Sequence, residues 1–335
     1  MRVGWTIGAL GLVASVIGAF LHPAAFAFAW LAALSVWIRW PLGCLMLTLV
    51  HTLTGGRWGL AIRPWLLLGI GGLPLLLPAI IPVLLLLPHL YPWAHADAHL
   101  ANAFYLNLPF AAVRCVLYLI VWFVVAALAL WRLRPATAAI GLILLGLTVN
   151  FAAIDMLMSL DPHFNSSDFG MTFAAESALF ALSVTILGTM LSGPVAEADR
   201  DDLARLLQGV LILWAYLDFM QLLIIWQSNL PAEAAWYVVR WTGVGGAIAG
   251  LTAVAHFLLP FLALLLPRVR RSRRGIIAVT LLLIVLSVVR GWWLVLPAQG
   301  RGIGWIDIAA MLAFGGISAG FALRGPTLRV GLSHA

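Results

Sequence analysis

The chain has 335 residues, of which 64% are hydrophobic and only 9% charged. Soluble domains carry roughly a quarter charged residues, and a water-soluble fold has too much surface per unit volume to hide this much apolar area. The net charge of +7 rests wholly on arginine, since the sequence contains no lysine. That excludes Schiff-base and P-loop lysine chemistry, and in so apolar a chain the arginines read as a topology signal rather than a nucleic-acid footprint.

The apolar runs are about 20 residues long and do not alternate, so they predict helices rather than barrel strands. In hydrocarbon a helix satisfies every backbone amide within its own segment. Ten spans are expected, near 3–21, 24–52, 64–87, 107–131, 136–159, 169–192, 203–229, 236–267, 275–297 and 303–323. The expectation is an all-α, polytopic transmembrane bundle forming a single integral membrane domain over 1–335. The first run lacks a signal-peptide cleavage pattern and reads as a span that stays. The second and eighth runs exceed what a bilayer needs, which predicts tilting, kinking or an interfacial start. Pro41 is a candidate kink in the second. Gly243, Gly245, Gly246 and Gly250 predict close packing of the eighth against a neighbour. Trp226, Trp236, Trp241, Trp292, Trp293 and Trp305 fall near span ends, as belt residues do.

Cys44 and Cys115 both lie in apolar runs and read as small packing residues, with no zinc or disulfide framework around them. In the polar stretch PHLYPWAHADAHLAN, His95, Asp97 and His99 alternate and would share one face of an extended segment, a weak metal-site candidate. His89 and His163 have no fixed relation to it, and a solvated loop is the plainer reading. His51 and His256 are the only span histidines, a poor pair of axial haem ligands because His51 falls at a span end. No CxxCH, cysteine cluster, nucleotide loop or nucleophile motif is present.

Charge fixes the expected topology. With both termini inside, Arg2, Arg57, Arg63, Arg132, Arg134, Arg200, Arg205, Arg268, Arg270, Arg271, Arg273, Arg274, Arg324 and Arg329 fall on the cytoplasmic side. Only Arg301 falls opposite, with Arg240 at a boundary, a bias that an odd span count would destroy.

Several ionisable residues fall inside spans, among them Arg39, Arg114, Asp155, Glu176, Asp218, His256 and Arg290. Each costs about 2.5–3.5 kcal/mol near the bilayer centre, so such groups turn inward and find partners. At 1.5 Å per residue, Asp155, Glu176, Asp218, Arg114 and Arg290 come to a common depth in the outer half, with Arg39 and His256 nearer the middle. One reading is an ion-pair network that fixes helix register. The other is a shared polar pocket or proton relay, with Glu176, Asp218 and His256 as the relay candidates. In the seventh span Trp214, Asp218 and Gln221 share a face, which suits either helix–helix hydrogen bonding or the polar ring of a lipophilic ligand such as a quinone.

Five ordered strings also resemble a known family: LGCLMLTLVHTLTGGRWGL, TVNFAAIDMLMSLDPHFNSSDFGM, LLQGVLILWAYLDFMQLLIIWQSNLPAEAAWYVVR, VAHFLLPFLALLLPRVRR and WWLVLPA, spread over about residues 24–298. They resemble the NrfD-like membrane subunit of bacterial alternative complex III, quinone-binding subunit 2. The resemblance implies a ten-helix, multi-pass subunit of the bacterial cytoplasmic (inner) membrane, without a redox centre or covalent cofactor of its own. It implies a quinol:cytochrome c oxidoreductase with an iron–sulfur subunit, c-type cytochromes and a second NrfD-like subunit as partners. The implied role is quinone-site support or proton conduction. Carried over by motif, the residues of interest are His51, Asp155, Asp161, His163, Asp218, Gln221 and His256. Two other classes stay open on the residues alone: a proton-coupled secondary transporter, and a purely structural membrane anchor.

Overall fold

A computed structural model describes residues 2–95 and 103–323. Among the described residues there is no strand, and ten helices are long and apolar enough to cross a membrane. They are α1 Arg2–Leu21, α2 Pro23–Thr54, α3 Arg57–Leu85, α4 Leu108–Trp131, α5 Pro135–Leu160, α6 Phe169–Ser192, α7 Glu197–Ser228, α9 Val244–Leu265, α10 Arg273–Gln299 and α11 Trp305–Ala322. Between α7 and α9 lies a short helix, α8 Pro231–Trp241. The chain is a multi-pass, all-α membrane protein.

The expected and observed elements differ where polar residues or glycine break the hydropathy signal. α7 starts at Glu197 rather than near 203. Glu197 and Asp199 in its first turn suit the positive end of a helix dipole but depress local hydropathy. α3 starts at Arg57, so that Pro64 lies inside it. The run expected to begin at 236 is two helices: α8 ends at Trp241, Gly243 takes a left-handed φ of 55°, and α9 begins at Val244. α2 is interrupted at Ile38. The cause is Pro41, which has no N–H for the Trp37 carbonyl.

Burial sorts the helices into layers. Some 78% of the apolar window of α2 is buried, against 22% for α7 and α9, so α2 is central, together with α6 and α10. α2 and α6 cross closely at Gly43, where any Cβ would overlap the Ser177 carbonyl and the Ala181 side chain. Cys44 and Cys115 are both buried and unbridged, as packing residues are.

Close glycine packing does occur, but elsewhere than expected. Gly245 and Gly246 abut the carbonyls of Arg240 and Trp241 at the α8–α9 turn, and among the described residues nothing lies within 4 Å of a Cβ at Gly243 or Gly250. The tight seam joins α1 to α11, where Gly4 meets Gly320, Gly8 meets Gly316 and Gly11 meets Ala313, backbone against backbone. This antiparallel seam also puts Arg2 and Ala322 at the same end of the bundle. The arginine-bearing connections gather at one end too: Arg57 pairs with Asp202 at 2.8 Å, Arg270 with Asp201 at 2.8 Å, and Arg200 donates to the Arg271 carbonyl at 2.7 Å.

The tryptophans also split. Trp226, Trp241 and Trp305 are exposed as belt residues, whereas Trp236 and Trp293 are buried and packed on each other at 5.6 Å.

Because a Cβ at position 316 has nowhere to go, Gly316→Val should destabilise the protein by about 1–3 kcal/mol. Gly250→Ala, in open space, should be neutral or stabilising by up to about 1 kcal/mol. Unfolding in a mild detergent would show the contrast, and equal behaviour of the two variants would refute the seam.

Candidate functional site

The close crossing of α2 and α6 sets the first contact. Arg39 lies one turn before Gly43 on the same face of α2, and Glu176 immediately precedes Ser177 on α6. Arg39 Nη1 accordingly donates to Glu176 Oε1 at 2.6 Å. The same Oε1 lies 3.5 Å from Arg290 Nε on α10. Arg290 Nη2 in turn donates to Asp218 Oδ1 on α7. Four side chains from four helices thus form one line, Arg39–Glu176–Arg290–Asp218, with zero formal charge. Arg39 and Glu176 are sealed, with side chains 0% and 3% exposed, while the Asp218 side chain is 29% exposed. Aromatic faces complete the solvation: Arg39 sits 5.1 Å from the Phe173 centroid and Arg290 5.2 Å from that of Trp214.

The expected single convergence of outer-half charges is instead two clusters. Arg114 and Asp155 form a separate two-point pair between α4 and α5, with contacts of 2.8 and 3.2 Å. Tyr118 adds a donor to Asp155 at 2.7 Å, and Arg114 also donates to the Tyr105 carbonyl at 2.8 Å. Among the described residues no ion pair links this cluster to the other. Its geometric reason is local: each group finds its partner on the adjacent helix of the same hairpin. Arg39, expected nearer mid-membrane, belongs to the Glu176 cluster because the break at Ile38 and the α2–α6 crossing bring it level.

Beside the Glu176 cluster lies a cavity of about 450 Å³, bounded by α6, α7, α8, α9 and α10. Its polar wall holds Thr172, Glu176, Asp218, Gln221 and Arg290, and its apolar walls are largely aromatic, including Phe173, Trp214, Trp236, Tyr237 and Trp293. Among the described residues, Thr172 Oγ1 and Trp214 Nε1 are buried without hydrogen-bond partners. A few unsatisfied polar groups in a largely apolar, partly enclosed space of this size are what a small-molecule site requires.

The roof is built by α8 and the loop 161–168. Phe164 stacks on Trp236 at 4.4 Å, and Arg240 lies 3.7 Å from the Trp236 centroid. Arg240 Nη2 donates to the Leu294 carbonyl at 2.9 Å, and Trp293 Nε1 donates to the Arg240 carbonyl at 3.1 Å. Gln221 ties the roof to α7: it donates to Tyr237 Oη at 3.0 Å and accepts from Ser166 Oγ at 3.1 Å.

Of the residues singled out from sequence, Trp214, Asp218, Gln221, Glu176 and Arg290 meet around this cavity. His256 lies behind it, fully buried, with its ring 4.6 Å from Trp214 and Nε2 3.5 Å from Ser287 Oγ. Among the described residues no hydrogen bond joins His256 to the charged line. It sits in a π-helical stretch, Thr252–Leu258, opened because Pro260 offers no N–H to the His256 carbonyl. His51 is elsewhere, at the far end of α2, with Nε2 3.0 Å from the Gly56 carbonyl oxygen. Asp161 and His163 lie in the loop 161–168 and do not line the cavity; the Asp161 carboxylate accepts from the His163 backbone N–H at 3.1 Å. Of the candidate metal trio, His95 is described, while Asp97 and His99 lie outside the described residues. The sequence marks Arg240 only as a boundary charge and Trp236 only as a belt residue, and does not mark Tyr237, Thr172 or Phe164. For three of these a signal existed: Pro231 and Gly243 bracket a separate helix.

No protein-family model matches the chain, and no curated protein matches it significantly.

The line of charges makes a quantitative prediction. Arg39→Met leaves Glu176 short of its nearest cation in an apolar core and should cost about 3–5 kcal/mol. The double variant Arg39→Met/Glu176→Leu leaves Arg290 paired with Asp218 and should recover most of that loss. A double-mutant cycle on unfolding in detergent measures the coupling, and simple additivity would show that the pair is not what holds these helices.

Proposed function

We propose that the chain is a quinone-binding membrane subunit of a respiratory quinol oxidoreductase, of the alternative complex III kind that its sequence resembles. The observation that carries this reading is the cavity itself: aromatic walls fit a flat ring, and the polar side chains among them fit ring oxygens. Thr172, Trp214 and Gln221 offer hydrogen-bonding groups, and Asp218 is the carboxylate most open to the space. Oxidising a quinol releases two protons and two electrons. Asp218, paired with Arg290, and Glu176, paired with Arg39, are the proton acceptors in this proposal. The electrons pass to a partner bearing iron–sulfur clusters or c-type haem, since the sequence carries no motif for either. In this reading the arginine-rich end faces the cytoplasm of a bacterial inner membrane, both termini lie there, and the cavity sits toward the opposite leaflet.

A proton-coupled transporter is the second reading. It is favoured by the interruption of α2 at Ile38 and the π-helical stretch of α9, because transporters bind substrates at broken helices.

Two measurements test the proposal. Protein in lipid nanodiscs should lose tryptophan fluorescence on adding a short-chain quinone, and Gln221→Leu or Thr172→Val should weaken that binding at least fivefold. No saturable quenching in the parent protein would remove the quinone reading. In native membranes, Glu176→Gln or Asp218→Asn should slow proton-coupled quinol turnover at least tenfold with the complex intact. Undiminished turnover in both variants would exclude a proton role, and uptake by the purified chain alone would favour transport.

A further inference from the structure

The cavity opens sideways. Ile212, Tyr216 and Phe219 on α7 line it and are also 44%, 55% and 55% exposed on the outer surface. A residue that faces both a cavity and the exterior marks its mouth. On the other side of that mouth stands the first half of α9, Val244–Leu251, in which no residue is buried. Small side chains, Ala215 on α7 and Ala249 and Ala253 on α9, line the cavity here. α7 packs on α9 chiefly further along, over Leu259–Leu265, where Leu264 is fully buried.

Depth identifies what lies outside. Ala253 is nine residues into α9, about 14 Å along the span, and Tyr216 is twelve residues from the end of α7, about 18 Å. Both positions are well inside a hydrocarbon layer roughly 30 Å thick. The mouth therefore faces acyl chains, not water. Volume adds a second constraint. The space of about 450 Å³ suits a substituted ring but not a ring with a long chain folded beside it.

We infer that the ligand is an amphiphile with a long apolar tail, which enters from the bilayer between α7 and α9 and leaves its tail in that slot. The ring lies against Thr172, Asp218, Gln221 and Arg290, and the tail runs out past Ala215, Ala249 and Ala253. This inference rests on the quinone reading above and adds the route and the tail. It assigns the two alanines of α9 a specificity role: they admit the chain, while the polar wall holds the ring.

The experiment compares two quinones with the same ring, one without a side chain and one with a long isoprenoid chain, titrated against the full chain in nanodiscs. Ala253→Phe and, on the facing wall, Ala215→Phe should weaken the long-chain quinone at least tenfold more than the tail-less one. In the parent protein, a quinone with a photoreactive group on its chain should crosslink to the segments around Tyr216 and Ala253. That readout stands even if a variant fails to fold. Equal loss for both quinones, or crosslinks confined to other helices, would overturn the side entrance while leaving the cavity as a ring site. Failure of the parent protein to bind either quinone would overturn both.

Discussion

A carboxylate buried inside the bundle is the constraint around which the structure is arranged. Glu176 sits in the most buried layer, where an isolated negative charge is strongly disfavoured. Its Oε1 faces Arg39 on one side and Arg290 on the other. Those arginines need counter-charges of their own, and Asp218 supplies the second. Neutrality is therefore reached only with α2, α6, α7 and α10 all in register. A shift of one helical turn in any of them, about 5.4 Å, would leave a charge unmatched. Apolar packing alone gives far weaker register control in lipid, where tails solvate leucine as well as a neighbouring helix does.

The same line of charges gives the cavity its asymmetry. One end of the line is sealed in the core and the other reaches the open space, so an event at Asp218 is felt by Arg290 and through it by Glu176. The aromatic residues around it hold the cations by their faces and also form the walls, so structural and binding roles share the same side chains. α8 closes this arrangement: Arg240, bonded to the Leu294 carbonyl, pins the roof to α10.

Much of the fold was legible in the sequence because hydropathy and arginine placement are properties of the chain itself. Ten spans, the Pro41 break and the polar face of Trp214, Asp218 and Gln221 all follow from spacing. Pairing was not legible in the same way. Depth arguments place Arg114, Asp155, Glu176, Asp218 and Arg290 at one level but contain no information about position around the bundle axis, and that coordinate separates the two clusters. Trp236 and Trp293 read as belt residues for the same reason: a tryptophan near a helix end can turn to lipid or to the core, and only the packing of α8 decides. Thr172 stayed hidden among other small polar residues because hydroxyls in spans normally bond their own helix, as Ser177 and Ser183 do.

The glycine seam between α1 and α11 bears on how the protein is made. α1 packs mainly on a helix that follows it by nine spans. On the ribosome, α1 must therefore wait in the bilayer with its glycine face turned to lipid until almost the whole chain has emerged. Closing this seam is a late event in biogenesis, and a chain that stops short of Gly316 would leave its own beginning without its main partner.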